Sequence, residues 1–320
     1  MTLVKHPEQI KLAMLGMVEG NGHPFSWSAI FNGFSSEAMA RCPYPVIYDY
    51  LRRQPSSALG IPGAKVTHVW CDDPADARRV AEASLVPNIV KEPTDVIGQV
   101  DAVIIPTDVG HEHVRRAKPF LDAGLPVFID KPLVDNETDL RQFVHWRQEG
   151  KSFLSTSALR FSREYAECRA RLHEIGELRL ITLSMTRTWE RYGINALEGV
   201  YPFLPPGGWH DVANNGQAGS NLVHLHHESG VEVMLAVISD LYGAFGCLNV
   251  YGTKGMLSSR FDDTFFAFKT QLEQYVAFLR SGVLPVRFEE TIELMKLLIA
   301  GTRSREEYGR RVSLKEIQLG

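Results

Sequence analysis

The chain has only four cysteines, Cys42, Cys71, Cys168 and Cys247, and no two of them form a CxxC pair. That spacing excludes a zinc knuckle, a redox dithiol and a disulfide framework, and leaves the four thiols as packing residues. No apolar run approaches the roughly 18 residues of a membrane span. At the N-terminus, Lys5, Glu8 and Lys11 interrupt MTLVKHPEQIKLAML, so it reads as neither signal peptide nor anchor, and a cytoplasmic location is expected. Basic residues are not in excess: 34 Lys and Arg stand against 38 Asp and Glu, a net charge of −4, with no basic stripe. Neither nucleic acid nor a membrane is therefore the expected partner. Repeats and low-complexity stretches are also missing. What remains is 44% hydrophobic and 22% charged over 320 residues, enough for sizeable cores and, by length, for two domains.

From residue 11 to 157, short apolar runs alternate with amphipathic stretches. KLAMLGM (11–17), KVTHVWCDD (65–73), DAVIIPT (101–107), PVFID (126–130) and SFLSTS (152–157) read as strands buried on both faces of a parallel sheet. PADARRVAEAS starts with Pro74 after an Asp73 cap, and HEHVRRAKPFLDAG stops at Gly124, so both read as helices. This repetition predicts an α/β, doubly wound parallel sheet, a Rossmann domain over residues 1–157. Beyond it the period changes. FSREYAECRARLHEIG is helical. LRLITLSMTRTW, SNLVHLHHES, VEVMLAVIS and AFGCLNVYGT then alternate as longer strands, with Gly230 as a hairpin turn and two helices closing the chain. Residues 158–320 are expected to form an α+β domain on an open, mainly antiparallel sheet. Its uncovered face predicts a homodimer or homotetramer. The Pro- and Gly-rich stretch 201–219 reads as an irregular or functional loop.

Gly16, Gly20 and Gly22, with the adjoining His23, follow the first strand, where a tight turn and a helix N-terminus can meet a pyrophosphate. The spacing GMVEGNGH is not GxGxxG. Asp72 ends the second strand, where a carboxylate accepts from both ribose hydroxyls and repels a 2′-phosphate. It predicts NAD in preference to NADP, with Asp73 left to cap the next helix.

The stretch DAVIIPTDVGHEHVRRAKPFLDAGLPVFIDKPL (101–133) resembles the segment of the glucose-fructose oxidoreductase and inositol dehydrogenase (Gfo/Idh/MocA) family that ends in its Glu-Lys-Pro signature, here Asp130-Lys131-Pro132. ALRFSREY (158–165), GELRLI, YGTKGMLS (251–258) and the last two helices extend the resemblance over nearly the whole chain. It implies an NAD(P)-dependent dehydrogenase acting on a secondary alcohol of a sugar, inositol or related polyol, with substrate between the Rossmann domain and the open sheet. It also implies that Thr107 and Asp130 lie along the cofactor, that Lys131 stands by the nicotinamide and the reacting hydroxyl, and that Arg160 contacts substrate. A desolvated ammonium there can hydrogen-bond the developing alkoxide and move its proton.

The chain departs from the family at the catalytic acid/base. Where members carry Asp-x-Gly-x-His, this sequence has Glu198-Gly199-Val200-Tyr201, so Tyr201 is expected to relay the proton beside Lys131 or to pack, with His210 as a second source of an imidazole. His224, His226 and Glu228 share one strand face but span too far for one ion, so no metal is expected. His113, in better register than His111, is expected to position the loop after the fourth strand. Two other readings stay open: a dinucleotide-binding sensor or assembly subunit without turnover, and a lyase or hydrolase of sugar derivatives that retains NAD.

Overall fold

The computed structural model describes residues 1–319. Two sheets organise them. The first has strands β1 (Ile10–Leu15), β2 (Ala64–Trp70), β3 (Asn88–Ile89), β4 (Ala102–Ile105), β5 (Val127–Ile129) and β6 (Phe153–Leu154), all parallel, in the order β3-β2-β1-β4-β5-β6. This is a doubly wound order, with winding reversed between β1 and β4. β4 and β5 bury every side chain, as strands covered on both faces must. The helices between strands are α1 (His23–Asn32), α2 (Ser36–Met39), α3 (Pro45–Leu51), α4 (Pro74–Ala83) and α5 (His113–Asp122). Asp73 caps α4 as its sequence predicts, accepting the Ala75 N–H at 2.7 Å with Pro74 in the first turn. α1 is buried from Pro24 through Phe31. The segment inserted before β2 explains this, since it carries α3, whose Tyr50 hydroxyl bonds Ser26 of α1.

α6 (Glu137–Gln148) lies between β5 and β6, α7 (Arg163–Ala170) leads into the second sheet, α8 (Ile194–Val200) follows its first strand, and α9 (Thr264–Ser281) and α10 (Phe288–Glu306) follow most of it. Its strands are β7 (Leu178–Thr186), β8 (Trp209–Asn214), β9 (Ser220–His227), β10 (Glu232–Ile238), β11 (Cys247–Gly252), β12 (Met256–Arg260) and β13 (Val312–Ser313), in the order β12-β11-β7-β10-β9-β8-β13. Only β7 and β10 pair in parallel. Gly230 turns the β9–β10 hairpin at φ +74°. One face, with Ile181, Leu183, Val223, Leu225, Val233 and Leu235, is core. The other leaves Leu222, Met234 and Met256 about half exposed. β8 lies inside the stretch read as a loop: its six residues are too few, among flanking Pro and Gly, to stand out as a strand.

The chain divides into two compact units. The first comprises Met1–Asp130, His145–Ser155 and Phe268–Pro285; the second comprises Lys131–Val144, Thr156–Ala267 and the described residues from Val286 onward. In the first, the Tyr275 hydroxyl of α9 bonds the carbonyls of Val103 (3.0 Å) and Pro126 (3.1 Å). In the second, α8 packs on β7 and α10 on β8.

Candidate active site

Four of the expected residues stand at the carboxyl ends of parallel strands in the first unit: Gly16 after β1, Asp72 after β2, Thr107 after β4 and Asp130 after β5. Ligands of open parallel sheets bind at this edge, where the winding reverses. Gly16 adopts φ +111°, and a Cβ on it would lie 2.9 Å from Thr107 Cγ2, so both conformation and space require glycine. Thr107 is fully buried, and its carbonyl accepts from His113 Nε2 at 2.8 Å. His113 thus fixes the loop after β4. Asp72 accepts the Met17 N–H at 3.1 Å, which ties the end of β2 to the glycine loop. Arg116 of α5 grips both oxygens of the same carboxylate at 2.9 and 3.2 Å and is held in turn by Glu112 at 2.8 Å. The sequence gives no sign of Arg116, because only the docking of α5 brings it to β2.

Gly20 sits at φ +78°, and a Cβ on Gly22 would lie 2.6 Å from the Tyr44 ring. The start of α1 departs from expectation. The His23 N–H donates to Asn21 Oδ1 (2.9 Å), Pro24 has no N–H, and the Phe25 and Ser26 N–H groups turn back to the Gly22 carbonyl. The helix N-terminus is therefore engaged by its own chain, so the donors on offer to a pyrophosphate belong to the loop before it. Asn21 Nδ2 also donates to the Pro106 carbonyl at 2.9 Å and reaches Asp130 Oδ2 at 3.4 Å. His23 Nδ1 lies 2.8 Å from the same Asp130 oxygen, while its ring stacks on Trp27 (4.4 Å between centroids) and meets Phe268 edge-on. Asp130 is buried and His23 retains 17% exposure.

Lys131 follows Asp130 through a cis bond to Pro132 and is 6% exposed. In the second unit its ammonium lies over the Tyr192 ring, 5.0 Å from the centroid, and Arg187 lies 5.3 Å from the same centroid. Tyr192 comes from a π-helical turn, Trp189–Gly193, a local form that recurs at functional sites. No motif in the sequence pointed to Tyr192.

Tyr201 is buried and engaged by a carboxylate. Its hydroxyl donates to Glu293 at 2.6 Å, and its ring stacks with Trp209 and faces the Arg160 guanidinium. Burial first, and then the Glu293 carboxylate, push the phenol's pKa up, the opposite of what a proton relay at neutral pH needs. Arg160 is held through Nε by Glu198 and through Nη1, at 3.0 Å, by Glu290, beside the buried cluster of Ser157, Asn195 and Glu198, while its Nη2 is buried without a partner. His210 is the second residue of β8 and its side chain is exposed, unlike the buried Lys131. His224 and His226 share a face of β9, as their spacing predicts. Glu228 lies past the strand beside Gly208, and its place next to the histidines is taken by Glu232 of β10. Among the described residues, no helix is long and apolar enough to cross a membrane.

Comparison with known proteins follows the same lines. The GFO_IDH_MocA model, described as an oxidoreductase family with an NAD-binding Rossmann fold, matches residues 49–156. Among curated proteins, no sequence matches the chain. Among solved structures, apo scyllo-inositol dehydrogenase from Lactobacillus casei superposes with a TM-score of 0.75 at 15% identity, covering 97% of this chain and 100% of that one. A myo-inositol dehydrogenase from Corynebacterium glutamicum gives 0.69 at 18%, covering 96% and 99%. The Lactobacillus casei enzyme with bound NAD(H) and scyllo-inositol gives 0.71 at 14%, covering 96% and 99%. At these identities the likeness establishes the fold.

Proposed function

On the premise that its NAD-binding domain, matched over residues 49–156, is that of the Gfo/Idh/MocA oxidoreductase family, we propose that this chain oxidises a secondary alcohol of a sugar, inositol or related polyol, with NAD as hydride acceptor. The observation that carries the reading is the convergence of Gly16, Asp72, Thr107 and Asp130 on one edge of the parallel sheet, with Lys131 next in the chain. The residues fit a dinucleotide. A Cβ is barred at Gly16, so only backbone lines the turn there, and Asp72 stands beside it as the ribose acceptor. The loop from Gly16 to Gly22 would hold the pyrophosphate, and Thr107 and Asp130 the remainder.

NAD, when bound, supplies the hydride acceptor. The protein's own part is the proton. Lys131 donates a hydrogen bond to the substrate oxygen as alkoxide character develops. His23, with Nδ1 2.8 Å from the Asp130 carboxylate at the cofactor edge of the first unit, presents Nε2 as a base there. Cofactor binding thus falls to the first unit. The open face of the second sheet, with Leu222, Met234 and Met256 exposed, pairs with a second copy of the chain.

The test is NAD titration followed by a polyol panel read by NADH absorbance. Oxidation of at least one inositol or sugar is expected. Tight NAD binding with no turnover would favour the sensor reading, and an eliminated product without net oxidation would favour the lyase.

A further inference from the structure

The face of the second sheet that carries Leu222 and Met234 also gathers metal-ligating groups from three adjacent strands. His224 and His226 alternate on β9, Glu232 of β10 is paired with His226, and Asp211 of β8 is paired with His226 from the other side. His224 Nε2 contacts the Glu232 carboxylate, and His226 Nε2 is 3.7 Å from Glu232 Oε2. One ligand atom from each of His224, His226 and Glu232 lies within 4.8 Å of the others. Three residues along one strand span too far for a single ion. Here the third comes from the neighbouring strand, only about 4.8 Å away, which removes that objection.

We propose that His224 Nε2, His226 Nε2 and the Glu232 carboxylate form a divalent-metal site of the zinc class. Two imidazoles and a carboxylate are a zinc ligand set, with bonds of about 2.0–2.2 Å, and the open position goes to water. Small rotations of these partly exposed side chains draw the three atoms onto one ion. Asp211 Oδ1 lies 3.1 Å from His226 Nδ1. A carboxylate on the far nitrogen fixes the tautomer and aims Nε2 at the ion, as in zinc sites whose histidines are oriented by acids. Arg311 Nη1 stands 2.6 Å from Asp211 Oδ1, 2.5 Å from His226 Nδ1 and 3.0 Å from His226 Nε2. Its guanidinium supplies the positive charge at this cluster and competes with a metal for His226. Arg311 is 42% exposed in the single chain, so it can swing aside when the ion enters.

That competition gives a signature which casual binding to surface histidines lacks. Full-length protein stripped by chelator would be titrated calorimetrically with zinc ion alone, and NAD affinity would be measured alongside as a check of folding. One ion per chain is expected. Glu232→Gln, which keeps shape while removing charge, and His224→Ala should each weaken binding by about tenfold or more, and Asp211→Asn by about 10–100-fold. Arg311→Met should tighten it by about threefold or more. Zinc affinity unchanged in Glu232→Gln, or unchanged or weakened in Arg311→Met, overturns the site.

Discussion

His23 Nδ1 lies 2.8 Å from Asp130 Oδ2, which joins the first residue of α1 to the last residue before Lys131. The contact exists because β1 and β5 run parallel in one sheet and deliver both residues to the same edge. A buried carboxylate on one imidazole nitrogen leaves the other oriented as a base, the logic of nucleophile and base pairs in general.

His23→Gln should therefore lower kcat by about 10²-fold, the scale of a lost general base, while NAD affinity moves by less than about threefold. Asp130→Asn should cause a comparable loss, and the double variant should be no slower than the worse single one, because the two act as a unit. Steady-state kinetics with NAD titrations decide. A fully active His23→Gln enzyme would leave the ring as packing on Trp27.

Lys131→Met removes the ammonium and keeps most of the side-chain volume. The rate should fall by about 10²-fold or more with NAD affinity nearly unchanged. A lysine variant at full rate on a confirmed substrate would refute the proposed mechanism.

Much of this site is legible in the sequence because it is local. Asp73 caps α4 two residues from its donor, Gly16 marks the end of β1, and Asp72 ends β2. The parallel sheet could be read because its strands are short apolar runs between capped helices. The unread residues owe their positions to tertiary register. Arg116 reaches Asp72 across 44 residues, Tyr192 reaches Lys131 through a π turn, and Glu293 reaches Tyr201 from α10. Glu232 replaces Glu228 because strand pairing, not spacing along β9, decides which side chains are neighbours. Nothing near Tyr201 in the sequence marks Glu293, 92 residues away, as its partner.

Cofactor choice rests on Asp72. A carboxylate near the ribose disfavours a 2′-phosphate by like charge, so NAD should bind at least about tenfold tighter than NADP, about 1.4 kcal/mol. Arg116 moderates this, because a guanidinium at the same position is what accommodates a 2′-phosphate. Asp72→Asn should narrow the preference. Equal NADP affinity in the wild type would remove Asp72 from the ribose site.

Self-association rests on the open face. Leu222 and Met234 are about half exposed on neighbouring strands β9 and β10. Light scattering at micromolar concentration should give a dimer or tetramer, and Met234→Glu should shift it toward monomer. A monomeric wild type would count against this face as an interface.

Tyr201 tests the relay against packing through stability and pH together. Its hydroxyl bonds Glu293, so Tyr201→Phe should cost about 1.5–3 kcal/mol near neutral pH, the range for losing a hydrogen bond to a charged group. Activity should change by less than about threefold, because the phenol is engaged by Glu293. Burial and then Glu293 raise its pKa in the folded state, whereas the unfolded chain releases the proton near the ordinary tyrosine value of about 10. Below pH of about 10 both states keep the proton, and the contribution of Tyr201 is fully present. Above it the unfolded state binds fewer protons than the native state, so wild-type stability falls as pH rises, by up to about 1.4 kcal/mol per pH unit from this group. The phenylalanine variant lacks that term. Its deficit should therefore shrink as pH climbs past about 10, as read by urea unfolding at a series of alkaline pH values. A deficit that stays constant across that range would mean that Tyr201 ionises as easily folded as unfolded, and would reopen the relay.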